Sequence, residues 1–215
     1  MNMRKLVIFG AGGFGQEAAW VAESMNDQLP THTRWEILGF LDDDPSKAGR
    51  QYFGHKTLST RPTESDIWYY CAVGRNITRE KISQRLDGYG WKAATLVHAS
   101  VISARGVEIG EGTYVGPGSI LSPMAQVGRH VIINQRVSIG HDAVLGDFSQ
   151  ACPGAQINGY CRLGRYALVG SNASIHQGKK VGEKAVVGSN SQVITDVATS
   201  TSVCGVPARV LFSES

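Results

Sequence analysis

A histidine followed by an aspartate, His141-Asp142, is the residue pair in this chain best suited to acid–base chemistry. A neutral imidazole backed by a carboxylate is the usual way to build a general base near neutral pH. The pair follows Ile139-Gly140, where the repeat described below predicts a corner from which side chains project. His130 and His176 are rival candidates, and the three histidines do not form a zinc-ligand set. Spacing alone leaves open whether His141 is catalytic or an inert surface residue.

A second candidate site is the glycine-rich segment Gly10-x-Gly12-x-x-Gly15, which follows an apolar run and opens a helical pattern. The backbone N–H groups of such a turn bind a phosphate at a helix N-terminus. Asp42 ends the next apolar run, where a carboxylate binds a ribose hydroxyl or a base. NAD is the default ligand, but the segment before the repeat has room for only one mononucleotide-binding half. A nucleotide or nucleotide sugar is therefore favoured, and a turn needed only for strand–helix packing is the alternative.

The elements that must position the histidine follow a period of six. From Ile109 to Val193 every sixth residue is Ala, Val, Ile or Leu, fifteen times in succession. Chance would produce this run with a probability of about one in ten million if these residues fill roughly a third of a chain. A period of six fits neither an α-helix nor a lone strand, and it is typical of a hexapeptide β-helix.

Other columns of the repeat agree with this interpretation. Gly follows the aliphatic residue at nine of the fifteen positions, which predicts a recurring corner with positive φ in that column. The residue two before the aliphatic is small at every position except Lys179, as a narrow prism requires. Because three hexads make one turn, residues eighteen apart should stack, with Pro123 on one side of His141 and Gly159 on the other. The N–H of Gly159 could then polarise a carbonyl beside the imidazole.

The chain ahead of the repeat has the pattern of an α/β domain. Strands are predicted at Lys5–Phe9, Glu36–Leu41, Ile67–Val73 and Ala93–Val97, with helices at Gln16–Met25 and from residue 76 to about 87. Alternating strands and helices predict a small parallel sheet, a Rossmann-like nucleotide-binding domain. We therefore expect an α/β domain at residues 1–98 and an all-β parallel β-helix with a C-terminal tail at residues 99–215.

Composition excludes several classes of protein. The formal net charge is only +3, and there is no basic run or aromatic ladder, so nucleic acid is not an expected partner. The sequence contains no stretch of eighteen apolar residues, so a membrane span is not expected. The four cysteines form no CxxC pair, which suits a reducing cytoplasm.

Five segments together resemble a known family, the bacterial left-handed β-helix acyltransferases that include UDP-4-amino-sugar N-acetyltransferases and sialic acid O-acetyltransferases. They are KLVIFGAGGFGQE (5–17), WEILGFLDDDP (35–45), CAVGRNITREKI (71–82), INQRVSIGHDAVLGDFSQ (133–150) and GVPARV (205–210). The resemblance implies a left-handed β-helix and a homotrimer, with acetyl-CoA in the groove between neighbouring β-helices and no metal. It also implies a nucleotide-sugar substrate held by the N-terminal domain, for surface glycan biosynthesis.

The resemblance assigns roles to individual residues. His141 matches the general base, Asp142 its acidic partner, and Gly159 the glycine whose N–H faces the thioester oxygen. The residues implied for the nucleotide sugar are Gly12, Gly13, Phe14, Asp42, Asp43, Gly74, Arg75, Asn76 and Asn134. The residues implied for acetyl-CoA are Gln150, Gly159, Gly170, Ser171, Gly188 and Ser189. Gln150 departs from the family, which often has a histidine there, and a glutamine cannot act as a cation or base.

The function expected from these observations is direct transfer of an acetyl group from acetyl-CoA to a UDP- or dTDP-linked 4-amino sugar in a ternary complex. His141 takes the proton of the attacking amine, Asp142 orients the imidazole, and the N–H of Gly159 stabilises the oxyanion. Two alternatives remain open. One is O-acetylation of a sugar hydroxyl, as in sialic acid, and the other is a non-catalytic, nucleotide-binding trimer.

Overall fold

The structure, a computed structural model, describes residues 3–213 and divides into two compact units, Met1–Ala99 and Ser100–Ser215. The predicted fold class is observed in order along the chain: an α/β unit first, then a long run of parallel two-residue strands. The assignment of a different ligand to each unit stays a prediction.

The first unit is built on a parallel sheet with helices between its strands. Its elements are β1 (Arg4–Phe9), α1 (Gly13–Asn26), β2 (Trp35–Leu41), β3 (Gln51–Tyr52), β4 (His55–Lys56), β5 (Ile67–Cys71), α2 (Asn76–Asp87), β6 (Lys92–Ala93) and β7 (Leu96–Val97), with 3₁₀ turns at Thr31–Thr33 and Pro45–Lys47. The sheet order is β2-β1-β5-β6, all parallel, and β3 and β4 form a separate antiparallel hairpin. Strand β1 is therefore central, and the segments that follow β1, β2 and β5 meet at one edge of the sheet.

Several element boundaries differ from those expected, most of them by one residue. Helix α1 begins at Gly13, inside the glycine motif, and the third strand ends at Cys71. The strand predicted at Ala93–Val97 is instead two short strands, β6 and β7. Such boundaries depend on where backbone hydrogen bonds stop, and apolar patterning does not report this.

The second unit is a three-sided prism of parallel strands. Its strands are β8 (Ile102–Ser103), β9 (Glu108–Ile109), β10 (Tyr114–Val115), β11 (Ile120–Leu121), β12 (Gln126–Val127), β13 (Ile132–Ile133), β14 (Ser138–Ile139), β15 (Val144–Leu145), β16 (Gln150–Ala151), β17 (Gln156–Ile157), β18 (Arg162–Leu163), β19 (Leu168–Val169), β20 (Ser174–Ile175), β21 (Lys180–Val181), β22 (Val186–Val187), β23 (Gln192–Val193), β24 (Thr201–Gly205) and β25 (Ala208–Ser213). Strands β10, β13, β16, β19, β22 and β24 form the first face, with β25 antiparallel to β24. Strands β8, β11, β14, β17, β20 and β23 form the second face, and β9, β12, β15, β18 and β21 form the third.

Stacking in this prism follows the predicted interval of eighteen residues. Ile133 pairs with Ala151 on the first face, and Ile139 pairs with Ile157 on the second. Fourteen of the fifteen aliphatic residues of the repeat, from Val115 to Val193, are buried at 5% exposure or less. The period of six is therefore the period of the core.

The glycine column has a different role from the one expected. Positive φ occurs two residues later in each hexad, for example at Asp142 (57°) and Tyr160 (59°), and not at Gly140. A Cβ at Gly140 would lie 2.3 Å from the backbone N of Gly159 on the next coil. The column is rich in glycine because successive coils approach too closely there for a side chain, so the prediction of positive φ in it was wrong.

Candidate active site

His141 and Asp142 lie at the corner between β14 on the second face and β15 on the third. Nδ1 of His141 and Oδ2 of Asp142 are 2.8 Å apart. An ionised carboxylate only accepts hydrogen bonds, so with neutral histidine this contact assigns the ring proton to Nδ1 and leaves the lone pair of Nε2 available. The pair therefore has the arrangement of a general base.

Gly159 lies one coil further along the same corner, facing the imidazole. A Cβ built on Gly159 would be 2.6 Å from Nε2 of His141 and 2.8 Å from its Cε1. The N–H of Gly159 has no acceptor within residues 3–213, while its carbonyl accepts from Gly178 at 2.9 Å. The structure thus brings a backbone N–H that has no acceptor in residues 3–213 close to a free imidazole nitrogen.

Tyr160 is a neighbour of His141 that sequence reasoning missed. The two rings meet edge to face, with centroids 4.9 Å apart and planes at 88°, and the Tyr160 N–H donates to the His141 carbonyl at 2.9 Å. Eighteen-residue stacking applied to Asp142 as well as to His141 would have identified it.

The rival histidines have different surroundings. His130 is buried at 2% exposure and its ring is stacked on that of Phe148, with centroids 4.9 Å apart. His176 is exposed and has no carboxylate partner among the residues described. Of the three, His141 alone combines exposure with a carboxylate partner.

Four of the residues predicted to hold acetyl-CoA, which are Gly170, Ser171, Gly188 and Ser189, occupy another corner, between the first and second faces. Gly170 and Gly188 stack there on consecutive coils, and a Cβ on Gly170 would be 2.5 Å from the N of Ser189. The carbonyl of Ser171 accepts from the N–H of Asn190 at 2.8 Å. Within one chain the structure therefore does not bring this set to His141, with the exception of Gly159.

Asn134 lies at that other corner, and Gln150 lies on the first face, in the strand that leads to it. Asn134 lies in the same stacked column as Gly170, and its Oδ1 accepts from the N–H of Gln135 at 2.9 Å. Gln150 is half-buried on the first face with its Nε2 3.7 Å from Sγ of Cys152, and its Oε1 has no donor among the described residues. The structure does not place Asn134 beside His141.

In the first unit the glycine turn lies at the carboxyl edge of the parallel sheet, where α/β proteins bind ligands. Gly12 caps α1 and Gly13 begins it, and a Cβ on either would meet nothing within 4 Å. Gly15, in contrast, is tightly packed, since a Cβ on it would be 1.9 Å from the carbonyl oxygen of Gly10. The motif thus combines an open turn with close strand–helix packing. Phe14 packs edge-on to Tyr70, with ring centroids 6.1 Å apart.

Asp42 ties the end of β2 to the glycine turn. Its Oδ2 accepts from the Ala11 N–H and from Nζ of Lys47, both at 2.8 Å, and its Oδ1 accepts from the Asp44 N–H at 3.0 Å. Burial of the carboxyl raises its pKa, but the hydrogen bonds from Lys47, Ala11 and Asp44 outweigh this, so the pKa is lowered overall. Asp42 therefore has a structural role in addition to the predicted role in ligand binding, which stays a prediction.

Asp43 and the segment Gly74–Asn76 lie on either side of the turn. Asp43 accepts from the Arg85 guanidinium at 3.0 and 3.2 Å, and that guanidinium lies 4.9 Å above the Phe9 ring. Arg75 is exposed and precedes the first residue of α2, Asn76. The predicted nucleotide residues of the first unit are thus gathered at one sheet edge.

Arg79 is a second residue that sequence reasoning missed. It is 1% exposed and donates to the carbonyls of Val73 at 2.9 Å and Gly74 at 3.1 Å, and to Oδ1 of Asn76 at 3.1 Å. Burial lowers its pKa to about 10. Arginine is normally exposed, so patterning offered no signal that this one lies beneath the loop and holds its backbone.

The Arg79→Leu variant should lose about 2–4 kcal/mol of unfolding free energy, because the carbonyls of Val73 and Gly74 lose their buried donor. The matched control is Arg85→Leu on the same helix, where the exposed ion pair with Asp43 contributes about 1 kcal/mol or less. Urea unfolding followed by circular dichroism measures both. Equal losses in the two variants would contradict a special role for Arg79.

No group of three or more His, Cys, Asp or Glu side chains in residues 3–213 is arranged to hold a metal ion. The helices in the same range are too short or too polar to cross a bilayer.

A hexapeptide β-helix with an exposed imidazole–carboxylate pair at a coil corner, following an α/β unit with a glycine turn, is the combination that the sequence resemblance predicted for a hexapeptide-repeat acyltransferase. Comparisons with known proteins agree. Residues 5–86 match the PglD N-terminal domain. Over 212 residues the chain is 29% identical to a GDP-perosamine N-acetyltransferase of Escherichia coli O157:H7, covering 94% of each protein.

Solved structures show the same fold. The acetyltransferase domain of PglB from Neisseria gonorrhoeae, in complex with acetyl coenzyme A, has 28% identity and a TM-score of 0.87, covering 98% of this chain and 100% of that one. PerB from Caulobacter crescentus, in complex with CoA and GDP-perosamine, has 23% identity and a TM-score of 0.88, covering 97% of each. The predicted resemblance is confirmed: residues 5–86 match a PglD-type N-terminal domain, and the chain is similar over nearly its whole length to hexapeptide-repeat N-acetyltransferases. The predictions of a left-handed β-helix and of an acyltransferase are confirmed with it.

Proposed function

We propose that this protein transfers the acetyl group of acetyl-CoA to the amine of a nucleotide-linked amino sugar. The observation that carries the proposal is the corner at which Nε2 of His141 is free, Asp142 holds Nδ1, and Gly159, whose N–H has no acceptor among the described residues, lies alongside. The name of the Escherichia coli relative supports a nucleotide amino sugar as acceptor, and the PglB complex supports acetyl-CoA as donor.

The chemistry at this corner follows from the groups present. The sugar amine attacks the thioester carbonyl while Nε2 of His141 takes a proton from the nitrogen. Asp142 stabilises the imidazolium that forms, because its carboxylate remains hydrogen-bonded to Nδ1–H. The N–H of Gly159 donates to the oxyanion of the tetrahedral intermediate. Collapse of the intermediate breaks the C–S bond, and coenzyme A leaves as the thiol after taking up the proton.

The first unit is proposed to bind the nucleotide at the edge formed by Gly12, Gly13, Asp42 and the Gly74–Asn76 segment. Open backbone at the N-terminus of α1 suits a diphosphate, since no side chain covers Gly12 or Gly13. UDP and dTDP remain the nucleotides expected from the sequence. The relative named for a GDP sugar supports including GDP among the candidates.

A homotrimer is proposed for the assembled enzyme. The His141 corner and the Gly170–Ser171 corner are separated by the second face of the prism, so one extended acetyl-CoA reaches both most directly by lying between two copies. The four cysteines, none in a disulfide, suit the cytoplasm, which we propose as the site of action.

Release of thiol from acetyl-CoA tests the proposal. The purified chain would be assayed with UDP-, dTDP- and GDP-linked 4-amino and 3-amino sugars and with free sialic acid. We expect turnover with one nucleotide amino sugar and production of its N-acetyl derivative by mass spectrometry. Turnover on sialic acid alone would replace N-acetylation by O-acetylation. No thiol release with any acceptor, from protein shown to be folded, would contradict an acetyltransferase role for these sugars.

A further inference from the structure

Tyr160 is a large aromatic residue held at the open corner beside His141. Its side chain is 54% exposed, and its backbone has a φ of 59°, a left-handed conformation that non-glycine residues seldom adopt. The ring contributes nothing to the buried core of the prism. Its contact of 4.9 Å with the imidazole is therefore its distinctive interaction.

The histidine–aspartate pair needs such a contact. The side chains of His141 and Asp142 are 49% and 42% exposed. Hydrogen bonds to a carboxylate exposed to this degree are weak, as exposed ion pairs are, because water competes for both partners and ordering the side chains costs rotamer entropy. An edge-to-face aromatic contact adds attraction and removes alternative ring orientations.

We propose that Tyr160 is a positioning residue for the transfer reaction, an inference that rests on the proposed function. Its ring keeps the His141 imidazole in the orientation in which Nδ1 donates to Asp142 and Nε2 faces Gly159. Loss of the ring lets the imidazole turn away from Asp142, so part of the population carries the proton on Nε2. An imidazole in that tautomer has no lone pair with which to accept the proton of the amine.

The test compares Tyr160→Ala with Tyr160→Phe, because phenylalanine keeps the ring and removes only the hydroxyl. We expect kcat to fall about three- to tenfold in Tyr160→Ala, with both KM values unchanged, and to stay within about twofold of wild type in Tyr160→Phe. Tyr166→Ala is the matched control, since Tyr166 occupies the equivalent position of the next corner with a φ of 58° and packs toward Phe148. That variant should keep the wild-type kcat.

A second readout does not depend on substrate. Long-range ¹H–¹⁵N correlation of the histidine rings in the full-length protein, with His141 assigned by its absence in His141→Ala, reports which nitrogen carries the proton. We expect the Nδ1–H form in wild type and Tyr160→Phe, and a mixture of tautomers in Tyr160→Ala.

The outcomes separate this inference from the proposed function. An unchanged tautomer in Tyr160→Ala, or a rise in KM with kcat intact, would overturn the positioning role. An equal loss of kcat in Tyr160→Phe would do the same, because the hydroxyl and not the ring would then be responsible. Absence of transfer by wild type with every acceptor would remove the proposed reaction, while the ring spectra would still decide whether Tyr160 orients His141.

Discussion

The His141→Ala variant is expected to lose about 10²- to 10⁴-fold in kcat, the range in which a positioned general base contributes to a reaction. The side chain is the imidazole whose Nδ1 is held 2.8 Å from Asp142 and whose Nε2 has no protein partner among the described residues. Its removal leaves the amine to lose its proton to water. The KM values for both substrates should change little, because the group acts in the transition state and not in ground-state binding. Initial rates of thiol release over a matrix of both substrate concentrations measure the two parameters separately.

The control for this prediction is His176→Ala. His176 is an exposed histidine on the same β-helix without a carboxylate partner in residues 3–213, so its loss should leave kcat unchanged. Thermal unfolding of both variants should match wild type, since neither imidazole is part of the buried core. Near-normal turnover by His141→Ala, or an equal loss in both variants, would show that the base is a different group.

The Gly159→Ala variant keeps its backbone N–H but is expected to lose about 10²-fold in kcat, as enzymes do when a catalytic group is displaced by about an ångström. A Cβ at this position would lie 2.6 Å from Nε2 of His141, closer than van der Waals contact allows. The imidazole must therefore move away from Gly159. A single methyl thus separates the two groups that the reaction needs together.

The backbone itself tolerates alanine at this position. Gly159 does not have a positive φ, and the equivalent position one coil later is Gln177. Gln177→Ala is accordingly the matched control, with unchanged kcat expected. Circular dichroism should show both variants folded, and kcat with saturating substrates is the measurement. Full activity in Gly159→Ala would mean that the position of the imidazole beside Gly159 does not matter for catalysis.

The β-helix was predictable from the amino-acid sequence because its core has one residue per hexad. One side chain in every six residues must enter a narrow prism, so an aliphatic residue recurs in the sequence with a period of six. The residues from Val115 to Val193 follow this period without a break. Stacking at eighteen residues follows from the same period, so the approach of Gly159 to His141 could be inferred before any coordinates. The α/β character of the first unit was readable for a similar reason, since its buried strands are continuous apolar runs.

Only the tertiary structure decided what the polar side chains do. Arg79 is buried under the loop that precedes α2. The carboxylate of Asp42 accepts hydrogen bonds from Ala11, Asp44 and Lys47. Neither arrangement produces a periodic pattern in the sequence. The Gly170 corner lies between the first and second faces of the prism, and the His141 corner lies between the second and third, so the two corners are separate. A period records the inward-facing residues, because their burial restricts their type. Outward-facing residues such as Tyr160 meet weaker constraints, and their neighbours are set by the path of adjacent coils in three dimensions.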